Sequence, residues 1–440
     1  MSAATGSAVA VRGTLAYFRD DPFLAGAEHA FIHEADGIVV CRDGRIEAVG
    51  RADDLLPQLQ PDVRLLHYPG CVVSAGFIDT HVHYVQTGII GAFGEQLLQW
   101  LNNYTFIAEQ AFSDPVYARS VASVFCDQLL ANGTTTALVF CAVYPQSVDA
   151  LFAEAATRNM RMIAGKVMMD RNAPDALLDT AQSAYDDSKA LIARWHGQGR
   201  NLYAITPRFA PTSTPEQLEL AGALWKESPT TFVQTHISEN RDEIQWVREL
   251  FPGREGYLDV YDHFGLVGPR SVLAHGVHLT EKELCRCHES GAAIAHCPTS
   301  NLFLGSGLFD VHRAKDPRRP VHVGMGTDIG AGTSFSMLAT LGEAYKVARL
   351  GEHALDSIKG LYLATLGGAR ALGLSDRIGT LQPGHEADLV VLDPRATPLL
   401  EFRNSRVESI EELLFVLMTL GDDRAVRATF VAGELRHGRE

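Results

Sequence analysis

The sequence predicts a (β/α)8 barrel flanked by a smaller β-domain that both chain ends build together. Three observations carry this expectation. Between Cys71 and Ile329, eight short apolar runs alternate with helical stretches over roughly 260 residues, the length such a barrel requires. A hairpin signal and further strand-like runs lie outside that span, near each end. Several of the eight runs close on, or are directly followed by, histidine, arginine or aspartate, as barrel strands are at a catalytic rim.

The elements follow in order. Residues 38–49 alternate around Asp43-Gly44, a hairpin turn pair. Strand-like runs then fall at 72–80, 134–140, 161–169, 202–208, 231–236, 271–275, 292–296 and 321–326. Most are rich in Val, Ile, Ala and Phe, as strands buried on both faces should be. Between them, Thr214-Pro215-Glu216-Gln217 has a capping-box pattern with Pro at the first helical position. Residues 239–250 carry apolar side chains at helical spacing among charges. The polar stretch 280–290 reads as a helix that sends Cys285 and Cys287 to different sides, which does not suit a metal pair.

Late in the chain, 387–393 and 428–434 read as strands, and 408–420 as a helix packed on them. Neither end has enough strands for a core of its own. Residues 1–70 and 380–440 are therefore expected to form one composite β-sandwich, with 71–379 as the barrel.

Composition narrows the function classes. The chain has 440 residues, 46% hydrophobic and 21% charged, which suits an ordinary globular protein. A net charge of −15 argues against a nucleic-acid partner, whose phosphates call for basic stripes. Apolar runs fall far short of the ~20 residues of a membrane span, so no membrane partner is expected. Residues 1–12 lack a basic start and apolar core, and seven scattered cysteines suit reduced thiols; both point to the cytoplasm. A small, weakly polar molecule is the expected substrate.

The strand ends supply the chemistry. In an extended segment, residues i and i+2 share a face, so His81 and His83 project side by side. The fourth run ends at Arg208, the fifth at His236 with Glu239 following, the sixth at His275, and the eighth run is followed by Thr327-Asp328. Alone, each has an ordinary reading: a polar partner for a histidine, a helix cap for Asp328, a solvated helix residue for Glu239, a surface ion pair for Arg208. Their joint placement at one end of successive strands outweighs those readings. Three imidazoles and one carboxylate, His81, His83, His236 and Asp328, make a site that suits Zn²⁺ or Fe²⁺ and leaves room for water.

On these motifs the chain resembles the amidohydrolase superfamily over nearly its full length. The carriers are Gly76-Phe77-Ile78-Asp79-Thr80-His81-Val82-His83, Thr235-His236-Ile237-Ser238-Glu239, Ala274-His275-Gly276 and Gly326-Thr327-Asp328. His296-Cys297-Pro298-Thr299-Ser300-Asn301 is similar to its deaminase branch. The likeness narrows to the guanine deaminase family through His83-Tyr84-Val85-Gln86, Leu98-Gln99-Trp100-Leu101-Asn102-Asn103-Tyr104-Thr105-Phe106 and Thr206-Pro207-Arg208-Phe209-Ala210-Pro211.

The resemblance implies one zinc per chain on His81, His83, His236 and Asp328, with His275 bonding the water there. It implies purine contacts from Gln86, Trp100, Arg208, Phe209, His236 and Glu239. Two-metal relatives carry a bridging lysine near the end of the fourth strand; Arg208 stands in that region, and Lys166 is the only lysine nearby. The implied reaction is hydrolytic deamination of guanine to xanthine, with Asp328 accepting the proton of water and Glu239 protonating the ring nitrogen beside C2. Arg208 would meet the O6 carbonyl. A homodimer is implied as well. Deamination of another purine or pterin, triazine hydrolysis, and a non-enzymatic scaffold stay open on the residues alone.

Overall fold

In the computed structural model, which describes residues 8–94 and 96–439, eight parallel strands form the barrel. They are Phe77–His83, Thr134–Phe140, Arg161–Gly165, Leu202–Pro207, Phe232–Ile237, Ser271–His275, Ala293–His296 and His322–Met325. Each pairs in parallel with the next. The ring closes where Thr80 Oγ1 donates to the Met325 carbonyl at 2.9 Å and Asp328 N donates to the His81 carbonyl at 3.0 Å. Every residue of the first two strands is buried, the polar ones included.

Two of the expected runs are divided, both at glycine. The run 72–80 belongs half to Arg64–Ala75, in the flanking sheet, and half to the first barrel strand. Between them a Cβ at Gly76 would lie 2.4 Å from Thr135 Oγ1, so only glycine lets the chain cross there from one sheet to the other. The run 161–169 stops at Gly165, where a Cβ would meet the Ala204 carbonyl at 1.7 Å, and resumes as Val167–Met168 beside Thr206 and Pro207.

The termini pair into one seven-stranded sheet. Its order is Glu434–Gly438, Val426–Val431, Leu389–Leu392, Arg64–Ala75, Ala8–Phe18, Phe31–Arg42, Arg45–Arg51. All its pairs are antiparallel except Ala8–Phe18 with Arg64–Ala75. The sheet folds over, so Val9, Val11, Val39 and Cys41 share one apolar interior with Leu389, Val391, Ala428 and Phe430. Asp43 and Gly44, at φ 52° and 77°, form the turn the hairpin signal predicts. Arg200 fastens this sheet to the barrel, its Nη1 donating to Asp388 Oδ1 and its Nε to Glu386 Oε2, each at 3.0 Å.

One expected contact is different. The helix Ile410–Leu420 packs against Met337–Leu350 and Ser357–Ala364, on the barrel's side, and not on the terminal sheet. Its Leu414, Val416, Leu417 and Met418 enter the barrel's core with Leu338 and Leu341, because the helix's apolar stripe matches theirs.

Candidate active site

The strand ends converge as expected. His81, His83 and His236 bring ring nitrogens within 4.8 Å of one another. His83 Nε2 faces His236 Nε2 at 3.2 Å, and Asp328 Oδ1 lies 3.2 Å from His81 Nε2 and 3.4 Å from His83 Nε2. Ligand atoms about 2.0–2.1 Å from a tetrahedral ion are themselves about 3.4 Å apart, so these four groups fit one small cation. The Arg208 carbonyl accepts from His236 Nδ1 at 2.7 Å, which puts that proton away from the cluster and leaves Nε2 as a lone pair. His81 Nε2 is buried and makes no hydrogen bond of good geometry, which fits a metal ligand.

The charges agree. Burial, together with the neighbouring imidazoles, pushes His83 and His236 well below the usual histidine range; burial also lowers His81. Burial alone would raise Asp328, but His81, His275 and His83 hold it well below the carboxylate range. A second donor group, His81, His275 and Cys297, lies nearby. Burial, with the carboxylates of Asp328 and Asp79, pushes the Cys297 thiol well above its ordinary value, so it offers no thiolate.

Beside this cluster stands a second polar group. His275 Nδ1 donates to Asn301 Oδ1 at 2.9 Å, turning Nε2 toward Glu239 Oε2 at 3.4 Å and Asp328 Oδ2 at 3.8 Å. Burial opposes the imidazolium, yet Glu239 and Asp328 outweigh it and raise His275. Burial raises Glu239 against the opposing pull of His275, and Ser306 Oγ donates to its Oε1 at 2.9 Å. Glu239 is not a helix residue. The helix is Arg241–Leu250, capped by Asn240, and Glu239 sits in the turn before it. Ser238, His275 and Asp328 all have positive φ, at 47°, 72° and 52°. Such backbone costs of order 1–3 kcal/mol per residue and collects at functional sites.

The remaining wall is largely apolar. A cavity is lined by His83, Gln86, Trp100, Arg208, Phe209, His236, Glu239, His275 and Asp328, together with Leu97 and Leu101. Every purine-contacting residue expected from the sequence therefore faces one space. Lys166 does not; it is buried in an ion pair, its Nζ 2.6 Å from Asp179 Oδ2, and takes no place among the ligands.

Three partners escaped the sequence reading. Glu109 receives the Arg208 guanidinium, Asn301 orients His275, and Glu243 accepts from the Glu239 and Asn240 amides at 2.9 and 3.1 Å. Asn301 lies in a quoted motif and Glu243 completes a capping box at Asn240, so both left a local signal. Glu109 left none, because its partner is 99 residues away.

Comparison with known proteins agrees with this geometry. The amidohydrolase family model matches residues 72–436. The chain is 53% identical to guanine deaminase of Escherichia coli (strain K12), covering 100% of this chain and 98% of that one. The solved E. coli guanine deaminase superposes with a TM-score of 0.95, over 98% of this chain and 100% of that chain. Guanine deaminase from C. acetobutylicum, solved with guanine in its active site, is 27% identical with a TM-score of 0.86, over 97% and 99%.

Proposed function

The chain belongs to the amidohydrolase family, and we propose that its reaction is the hydrolytic deamination of guanine to xanthine and ammonia. The carrying observation is the two-sided cavity: three imidazoles and Asp328 on one side, an apolar slot with Arg208 and Gln86 on the other. A divalent ion, zinc in this reading, would be held by His81, His83, His236 and Asp328, and would lower the pKa of water toward neutrality.

The protein's own groups do the rest. Trp100, Phe209, Leu97 and Leu101 line the apolar part of the cavity, which suits the faces of a planar ring. Arg208 and Gln86 bind the 6-carbonyl edge. Asp328, held as a carboxylate, accepts the proton of the attacking water at its free oxygen. Glu239, raised by burial, carries a proton to the ring nitrogen beside C2 and is recharged from the hydroxyl now on C2, while the proton taken up by Asp328 goes to the departing amine. His275 holds water in line from Nε2, its orientation set by Asn301. The site residues keep these roles whichever ion is resident.

Two lesser proposals accompany it. All seven cysteines are free thiols, which supports a cytoplasmic location, and among the described residues no helix is long and apolar enough to cross a membrane. The family resemblance supports a homodimer, which sedimentation equilibrium would test. The central test is ammonia release from guanine by purified protein of known metal content. Brisk release with about one ion per chain supports the reading; metal-replete protein that leaves guanine untouched refutes it.

A further inference from the structure

Glu109 closes the helical turn Phe106–Glu109, in the loop after the first barrel strand, and is fully buried. Its Oε2 accepts from Arg208 Nη1 at 2.7 Å and its Oε1 from Nη2 at 3.0 Å. Phe106, from the same turn, lies 5.4 Å from the guanidinium carbon. One turn of the first loop thus clamps a guanidinium at the end of the fourth strand from two sides. A guanidinium has five N–H donors and no acceptor, so Arg208 keeps donors for a ligand after Glu109 has taken two.

Gln86 is fixed from the same point. Its Oε1 accepts from Gly330 N at 3.1 Å, and its Nε2 lies 3.5 Å from Glu109 Oε1. A backbone N–H only donates and a carboxylate only accepts, so both contacts agree on which end of the amide is which. Gln86 and Arg208 both line the cavity, and the capacity left to them there is chiefly that of donors.

We infer that Glu109 is the positioning residue for specificity, holding Arg208 and Gln86 as a donor edge that accepts a 6-carbonyl purine and refuses a 6-amino one. The inference rests on the proposed guanine deamination. A 6-carbonyl ring offers an acceptor to this edge. A 6-amino ring sets donor against donor and leaves buried N–H groups unpaired, the arrangement by which polar sites reject close analogues. A merely structural ion pair would steady the loop without caring which purine enters.

The test compares guanine with 2,6-diaminopurine, which keeps the reacting 2-amino group and exchanges the 6-carbonyl for an amine. Intact, metal-replete protein should favour guanine in kcat/KM by about 10³ or more. In Glu109→Gln the substituted amide brings donors to face Arg208 and Gln86. KM for guanine should rise about tenfold or more with kcat within a few fold, and the guanine preference should fall about tenfold or more. Equal losses on both substrates, or an unchanged preference, overturn the inference while guanine turnover by intact protein leaves the functional reading standing. Intact protein inert toward guanine overturns both. If Glu109→Gln does not fold, inhibition of intact protein decides: hypoxanthine should bind about tenfold or more tightly than adenine, and equal binding overturns the inference.

Discussion

The two walls of the cavity are built on opposite principles. On one, His81, His83, His236 and Asp328 crowd their donor atoms together, with a buried Nε2 of His81 left without a good hydrogen bond and Asp328 on a left-handed backbone. On the other, Arg208 and Glu109 form a buried, doubly bonded pair, and Gln86 is held at both ends of its amide. The first wall is incomplete without something from outside. The second is complete before any ligand arrives. In this cavity the crowded donor atoms suit a cation, and the satisfied pair suits recognition fixed in advance.

The largest effect expected separates the walls outright. His236→Ala should remove the ion and bring guanine turnover to background, as read by elemental analysis and ammonia release. Because the histidine cluster is unsatisfied without its ion, this variant should change the melting temperature of metal-free protein less than a change in the opposite wall does. Metal retained at full stoichiometry in His236→Ala would remove that residue from the ligand set.

Next in size is Glu239→Gln, which lies on the incomplete wall but outside the ligand set. It should keep the ion and the fold and lose ~10²–10⁴ in kcat, the usual contribution of a general acid–base group. Near-normal turnover would reassign the proton-carrying role.

The complete wall responds differently. Arg208→Ala should retain the ion, lower kcat/KM for guanine by roughly 10–100-fold, and also destabilise metal-free protein. Its removal strands Glu109 as a buried unpaired charge, which typically costs 3–5 kcal/mol. Calorimetry on metal-free Arg208→Ala and His236→Ala, side by side, checks this. Equal melting temperatures would dissolve the contrast between the walls.

How much of this was legible follows the same division. The histidine wall was readable because its residues sit at strand ends, where spacing of two and a barrel's polarity place them: His81, His83, His236 and Asp328 all converge. The opposite wall was readable for residues inside motifs, such as Gln86 and Arg208, but Glu109 lies in a short turn with no periodic or capping signal. Its role depends on a contact between the first and fourth strands' loops, which no local pattern encodes. For the same reason the helix Ile410–Leu420 was read correctly as a helix and placed against the wrong neighbour, since an apolar stripe does not name its partner. The glycines at 76 and 165 divided two strand runs because close backbone approach is a tertiary fact.

The smallest expected effect concerns protonation behind the incomplete wall. Glu243 is buried, and burial with the nearby Glu239 carboxylate pushes it up to about 7, despite bonds from the Tyr257 hydroxyl at 2.7 Å and from the Glu239 and Asn240 amides. The ionisable groups facing it are Glu239, Tyr257, Tyr261 and, farther off, His275. A carboxyl raised in the folded state binds more protons there than in the unfolded chain, whose value is the ordinary 4.5. Stability from this group is therefore present at low pH and is lost as pH rises through about 7. Glu243→Gln cannot titrate. Relative to the intact protein it should become more stable between pH 5.5 and 8, by about 2 kcal/mol, as read by urea denaturation across that range. A stability difference between Glu243→Gln and intact protein that stays flat with pH, or runs the other way, would place the ionised carboxylate in the folded state and make Glu243 a fixed acceptor for the Glu239 turn.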